Sequence, residues 1–142
     1  MSHGYPRPQL ERAGWTSLNG PWRFRFDPEQ RFASPVDIDR WPLTITVPYP
    51  PESKASGIAD RGMHPVCWYE RDVLLAPPEA GRRVVLHFGA VDYAARVWVN
   101  GTLAVCHEGG HTPFSADITG LLDPSGLQVV TVRAEDDPLD LA

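Results

Sequence analysis

The chain has 142 residues, of which 13 are Lys or Arg and 18 are Asp or Glu, giving a formal net charge of −5. This length suits one domain with a real hydrophobic core, and it is too short for such a domain plus a catalytic (β/α)8 barrel of about 250 residues. The acidic balance argues against nucleic acid and an anionic membrane as partners, and no apolar stretch approaches the roughly 20 residues of a membrane span.

The N-terminus and the cysteines indicate the compartment. Residues 1–8 lack the apolar run of a secretory signal. The two cysteines, Cys67 and Cys106, are too few for a disulfide framework, and their spacing leaves open whether they meet. We therefore expect a cytoplasmic protein with reduced thiols.

Alternating apolar residues predict a succession of short strands. In chain order these lie at 22–26, 43–47, 67–74, 84–88, 93–99, 103–106 and 127–134. Asn100-Gly101 is the dipeptide most typical of a two-residue type I′ hairpin. Fifteen prolines and 12 glycines disfavour long helices. The fold class is therefore all-β, an antiparallel β-sandwich, and the jelly roll is the commonest form at this size.

Two segments stand outside the strand pattern. A single helical turn is predicted at 117–122, where Asp117 is placed to cap it, and it ends at the turn sequence of residues 123–126. The connection at 48–65 has no apolar periodicity. Connections of that length are usually functional, in contact with a neighbour, or disordered.

Two motifs match known sites without the context those sites require. Residues 107–111 read His-Glu-Gly-Gly-His, but the zinc motif of this form needs a helix, and two glycines followed by Thr112-Pro113 disfavour one. Asn100-Gly101-Thr102 fits the glycosylation pattern, which the hairpin explains equally well. No nucleophile elbow or glycine-rich phosphate loop is present. We predict no catalytic residue, metal site or cofactor.

The order of several motifs resembles the N-terminal sugar-binding domain of family 2 glycoside hydrolases, which include β-galactosidases, β-glucuronidases and β-mannosidases. The resemblance covers nearly all of residues 10 to 138. Its motifs are Leu18-Asn19-Gly20-Pro21-Trp22-Arg23-Phe24, Val47-Pro48, Trp68-Tyr69-Glu70-Arg71, residues 86–93, Val97-Trp98-Val99-Asn100-Gly101, residues 107–114, Asp117-Ile118-Thr119 and residues 132–138.

The resemblance implies a jelly roll of the galactose-binding-domain-like type at 10–138. Residues 1–9 would be an N-terminal arm, and 139–142 would begin the linker to an absent second domain. In this family an immunoglobulin-like sandwich follows, and then a barrel that carries both catalytic glutamates of a retaining mechanism. The expected function is that of a non-catalytic module supporting the barrel, and not of an enzyme by itself. Its partners would be those missing domains and carbohydrate, and a homo-oligomer is compatible with the sequence.

The resemblance also implies candidate substrate-binding residues. Family members complete the sugar pocket with the long connection and with the acidic segment after the last strand. These positions correspond here to Asp60, His64, Asp136 and Asp137. An aspartate among them would accept a hydrogen bond from a sugar hydroxyl in the assembled enzyme; the competing interpretation is a solvated acidic end of the sandwich.

A stand-alone carbohydrate-binding module or lectin is the alternative function. Such a module presents aromatic side chains beside a groove. Trp22, Trp68 and Trp98 follow strand patterns and are expected in the core, whereas Trp15 and Trp41 are better candidates for an interface or a sugar-stacking face. The sequence does not determine which glycoside is recognised.

Overall fold

Ten strands form two antiparallel sheets in the computed structural model, which describes residues 8–11, 15–60, 65–89, 91, 93–109 and 112–136. The four-stranded sheet, in the order β2-β1-β6-β9, contains β1 (Pro8–Glu11), β2 (Trp15–Ser17), β6 (Val85–Phe88) and β9 (Phe114–Asp117). The six-stranded sheet, in the order β4-β3-β5-β10-β7-β8, contains β3 (Gly20–Phe26), β4 (Leu43–Val47), β5 (Val66–Leu74), β7 (Ala94–Val99), β8 (Thr102–Glu108) and β10 (Leu127–Glu135).

The antiparallel all-β prediction is confirmed. Each of the seven predicted segments forms a strand whose ends lie within two residues of the expected ones. Three further strands, β1, β2 and β9, were not predicted; each has only three or four residues. The first strand begins at Pro8, whereas the sandwich was expected from residue 10.

The turns between the strands have the chemistry that the sequence indicates. Asn100 and Gly101 adopt φ angles of 52° and 82°, as a type I′ turn requires, which confirms the hairpin of β7 and β8. Thr119–Leu121 forms one 3-10 turn, and its Thr119 N–H donates to the Asp117 carboxylate over 3.0 Å. Further 3-10 turns lie at Pro35–Asp37 and Lys54–Ser56.

Among the described residues no helix is long and apolar enough to cross a membrane.

The inner core lies between the two sheets. Apolar side chains of β3, β5, β7 and β10 meet Leu86 and Phe88 of β6, and Trp22, Phe24, Tyr69, Val97 and Val132 are among its buried members. Phe114 of β9 extends this core, because its ring stacks on Phe88 with centroids 4.7 Å apart. The burial of Trp22 confirms the expectation that it belongs to the core.

A second, smaller core covers the outer face of the six-stranded sheet. Val66 and Trp68 alternate along β5 with the inner residues Cys67 and Tyr69, so they point to the opposite side. There the Trp68 and Trp98 rings stack at 5.2 Å, and Phe32, Ile38 and Trp41 of the segment between β3 and β4 pack on them. Strands β5 and β10 at the centre of the sheet are therefore covered on both faces.

The buried carboxylate of Asp27 holds the segment between β3 and β4 against the outer face of the sheet. Asp27, only 2% exposed, accepts hydrogen bonds from the backbone N–H groups of Arg31 (2.8 Å) and Phe32 (3.2 Å). It also accepts one from the indole N–H of Trp68 over 3.1 Å. The turn that leads Phe32 onto the sheet is thus tied directly to the central strand β5.

Candidate functional site

Two chain segments meet where β5 begins and β10 ends. The register pairs Val66 with Glu135, and the N–H of Asp136 donates to the carbonyl of Pro65 over 2.8 Å. The connection that precedes β5 therefore returns to the sheet beside the acidic segment that follows β10. The candidate substrate-binding residues were expected in these two segments.

The charges of three carboxylates act on the buried Cys67 thiol at this end of the sandwich. Burial raises the Cys67 pKa, and the negative charges of Asp136, Glu52 and Asp60 raise it further. The charges of Asp60 and Asp136, two of the four candidate residues, therefore both reach the same buried thiol; the part of the chain with this influence, Glu52 included, is called the acidic region below. His64 and Asp137, the other two, lie outside the described residues.

Glu52 joins this acidic region although the sequence analysis did not single it out. It lies in the same connection as Asp60, between Pro51 and Ser53, and is exposed. Glu52 and Asp60 are eight positions apart in the sequence, a spacing that matches no known motif, so the sequence did not indicate that the two act together. The backbone bond from Asp60 N–H to Pro51 O, 3.1 Å long, shows why the two segments lie side by side.

Residues 51–58 of the connection between β4 and β5 form a compact turn held by hydrogen bonds to Ser56. Ser56 is fully buried, and its hydroxyl interacts with the carbonyls of Ser53 (2.8 Å) and Pro51 (3.3 Å) while accepting from the N–H of Ile58 (3.0 Å). The Ile58 side chain packs against the inner core. Asp60 therefore follows directly on an anchored turn.

The carboxylates of this region have the exposure that a hydrogen-bonding site needs. Asp60 is half-buried and Asp136 is exposed. A carboxylate only accepts hydrogen bonds, so both side chains suit donors such as sugar hydroxyls. The concentration of negative charge disfavours an anionic group at the same place. Within the described ranges no group of three or more His, Cys, Asp or Glu side chains is arranged to hold a metal ion.

A second polar cluster lies on the outer face of the six-stranded sheet and is internally paired. Arg23 donates to Glu70 (2.8 Å) and Asp72 (2.8 Å), and the Thr131 hydroxyl donates to Glu70 over 2.9 Å. Burial alone would lower the Arg23 pKa, but the hydrogen bonds that Arg23 donates to Asp72 and Glu70, together with the charges of both carboxylates, outweigh it and raise that pKa. Arg23, Glu70 and Asp72 are among the residues that line a groove of about 320 Å³. Because both carboxylates already have partners, the groove is primarily part of the sheet's structure.

The histidine–glutamate motif has the strand geometry that the sequence analysis preferred. His107 and Glu108 are the last residues of β8, and successive residues of a strand point to opposite faces. The His107 ring stacks on Phe114 with centroids 4.4 Å apart, which is a packing role. His111 lies outside the described residues.

The tryptophans weigh against a stacking platform for sugar on the described surface. Trp22, Trp68 and Trp98 are buried, and Trp41 is half-buried against the outer core. The side chain of Trp15, the other candidate, lies outside the described residues.

The two cysteines do not form a disulfide. Cys67 is buried, Cys106 is exposed, and both are free thiols.

Comparison with known proteins gives a consistent result. Residues 37–135 match the model of "Glycosyl hydrolases family 2, sugar binding domain". The chain is 38% identical to β-glucuronidase of Felis catus over 87% of its length, and 33% identical to that of Paenibacillus borealis over 90%. It spans about one fifth of these curated relatives, 21% and 22% respectively.

Solved structures agree with the sequence relatives. Faecalibacterium prausnitzii β-glucuronidase superposes with a TM-score of 0.69 at 31% identity, covering 100% of this chain and 25% of that one. The β-glucuronidase of Bifidobacterium dentium, solved with coumarin-3-O-glucuronide, gives a TM-score of 0.67 at 29% identity, with 94% and 22% covered.

Proposed function

Because the chain belongs to the sugar-binding domain family of the family 2 glycosyl hydrolases, we propose that it is the N-terminal, non-catalytic module of a retaining β-glycosidase. In such an enzyme it supports the catalytic barrel and lends carboxylates to the sugar site. The observation that supports the proposal is that β5 begins beside the end of β10, where the Asp136 N–H donates to the Pro65 carbonyl, and that the charges of Asp60 and Asp136 both act on the Cys67 thiol at this end of the sandwich. Two chain segments far apart in sequence supply them there.

The substrate we propose is a β-glucuronide. The relatives and solved structures reported above are β-glucuronidases. In that assembly Asp60 and Asp136 accept hydrogen bonds from ring hydroxyls, since carboxylates cannot donate. The sugar's own carboxylate faces away from this module, because Glu52, Asp60 and Asp136 would repel it.

The supporting role is favoured by apolar side chains that the free module leaves in solvent. Leu74 is 86% exposed, and Leu127, its register partner across β5 and β10, is 47% exposed. Val36, on the turn over the outer core, is 87% exposed. Adjacent exposed apolar side chains such as Leu74 and Leu127 favour a surface that a neighbouring domain covers, whereas a single one such as Val36 is ordinary.

The test of the sugar-site contribution uses the enzyme that carries this module. Asp60→Asn and Asp136→Asn should each raise KM for an aryl β-glucuronide by roughly tenfold, the effect of losing one hydrogen bond to a charged acceptor. The control is Glu79→Gln, an exposed carboxylate in the connection between β5 and β6. Unchanged kinetics in both aspartate variants would contradict the proposal.

Titration of the 142-residue chain separates a binding module from a support. Methyl β-glucuronide, β-galactoside, β-mannoside and β-xyloside are added while amide NMR shifts are followed. Saturable shifts confined to residues 48–60 and to the end of β10 would support sugar contact at the acidic region. Saturable shifts elsewhere would favour an independent carbohydrate-binding module instead.

A further inference from the structure

The chain contains two asparagines, and a glycine follows each of them. Asn19-Gly20 stands at the start of β3, and Asn100-Gly101 forms the turn between β7 and β8. In an asparagine–glycine pair the peptide nitrogen of the glycine is a nucleophile for the side-chain Cγ of the asparagine, because glycine has no side chain to cover that nitrogen. The two pairs share this chemistry, so their surroundings in the fold decide how each one reacts.

The fold holds the side-chain amide of Asn100 in place. Its nitrogen donates to the carbonyl of Leu121 and to Oε1 of Gln128, and its oxygen accepts from the N–H of Val129. Any movement of Cγ toward the nitrogen of Gly101 must break these bonds. A reaction at Asn100 therefore requires the hairpin to separate from β10.

The side-chain amide of Asn19 has no such anchor. Its oxygen is buried without a hydrogen-bond partner, and its nitrogen forms no hydrogen bond within the described residues. The bonds of Asn19 are made by its backbone, whose N–H donates to the hydroxyl of Ser17 over 3.1 Å. Rotation of the side chain toward Gly20 therefore breaks no hydrogen bond.

The guanidinium of Arg71 lies over the peptide bond between Asn19 and Gly20. Its Nη1 donates to the carbonyl of Asn19 over 3.1 Å and lies 3.6 Å from the position that a Cβ on Gly20 would occupy. When the nitrogen of Gly20 loses its proton, the negative charge is shared with that carbonyl oxygen, so a cation bonded to the oxygen stabilises the nucleophile. Arg71 forms no ion pair with any described carboxylate.

We propose that Asn19 is a site of spontaneous deamidation promoted by Arg71, whereas the fold protects Asn100. The bond from the Gly20 nitrogen to Asn19 Cγ forms while the bond from Cγ to Nδ2 breaks, and ammonia leaves with the proton of the Gly20 N–H. Water then opens the succinimide ring to aspartate or isoaspartate. The new carboxylate adds one negative charge beside Arg71 and gives this arginine an acidic partner at the start of β3.

Mass spectrometry of peptides from the 142-residue chain follows both sites during incubation at neutral pH. The same chain unfolded in urea gives the reference rate for each site. In the folded chain Asn100 should react at least roughly a hundredfold more slowly than its reference, because three hydrogen bonds must open first. Asn19 should react within roughly tenfold of its reference, since its amide has no bond to open. Equal protection of the two sites would overturn the proposal.

Variants at Arg71 separate promotion from simple exposure. Arg71→Gln removes the charge and should slow the reaction at Asn19 by roughly tenfold, whereas Arg71→Lys keeps the charge and should retain most of the rate. The rate at Asn100 in the same samples reports whether each variant is folded. Arg82→Gln, at an exposed position between β5 and β6, is the matched control and should change neither rate. A rate at Asn19 that is constant or higher in a folded Arg71→Gln chain would overturn the role of Arg71.

Discussion

The side-chain amide of Asn100 donates to Oε1 of Gln128 over 2.7 Å and so ties the β7–β8 hairpin to the start of β10. Asn100 also donates to the carbonyl of Leu121 and accepts from the N–H of Val129. Gln128 is 1% exposed and donates in turn to the carbonyls of Leu75 and Asp123. The asparagine that begins a turn is therefore also a tertiary anchor, and a glycan on its amide nitrogen would leave a single N–H where two hydrogen bonds are now donated.

Asn100→Gly separates these two roles. Glycine adopts the φ of 52° at this position, so the turn is kept while three hydrogen bonds are lost. We expect the free energy of unfolding in urea to fall by about 2 kcal/mol, because the Leu121 carbonyl and the Val129 N–H lose their Asn100 partner, whereas Gln128 keeps its bonds to Asp123 and Leu75. A loss below about 0.5 kcal/mol would show that the turn alone fixes the hairpin.

Asp27→Asn tests the anchor of the outer core. All three partners of Asp27 are N–H donors, so an amide NH2 must face at least one of them in either orientation. We expect a loss of about 2 kcal/mol in urea unfolding and a changed Trp68 contribution to the fluorescence. Asp39→Asn is the matched control, since its carboxylate is 84% exposed. An equal effect of both changes would contradict this role.

The raised pKa of Cys67 predicts a stability that depends on pH. The folded thiol holds its proton above the range where an unfolded thiol, with a pKa of about 8.5, loses it. The thiol therefore contributes fully to the free energy of unfolding below about pH 8.5. As pH rises above that value the free energy of unfolding falls, by at most about 1.4 kcal/mol per pH unit. Urea unfolding of wild type and Cys67→Val should diverge above about pH 8.5. Parallel curves would refute the assignment.

Ser56→Ala tests whether the connection supports Asp60. The substitution removes a fully buried hydroxyl with bonds to Pro51, Ser53 and Ile58. We expect a loss of about 1–2 kcal/mol, and faster amide exchange in 51–60 than in the β7–β8 hairpin. Ser125→Ala, on an exposed turn, is the control. Uniform exchange across the chain would show that the connection does not form its own unit.

The sequence predicted the long strands because their inner face is uniformly apolar, as the pattern of Trp22, Phe24 and Phe26 shows. It could not predict the outer core. Val66 and Trp68 continue an apolar run through Cys67 and Tyr69, and such a run indicates burial on both faces without saying what covers the second one. That depends on Asp27 and Phe32, whose segment carries no periodicity. The acidic site was expected at Asp60 and Asp136, whereas Glu52 required the backbone bond that only the fold reveals.

Because β10 is buried on both faces, the backbone is held more rigidly at Asp136 than at Asp60. Asp136 is the first residue beyond a strand held by β5 on one side and β7 on the other, so its backbone behaves as a fixed reference point. Asp60 lies within the surface connection between β4 and β5, and the bonds that anchor the turn before it are local. In the proposed sugar site, Asp136 would be a rigid contact and Asp60 a contact that shifts with the ligand. Sugars that differ in the position of a hydroxyl should therefore change the position of Asp60 more than that of Asp136.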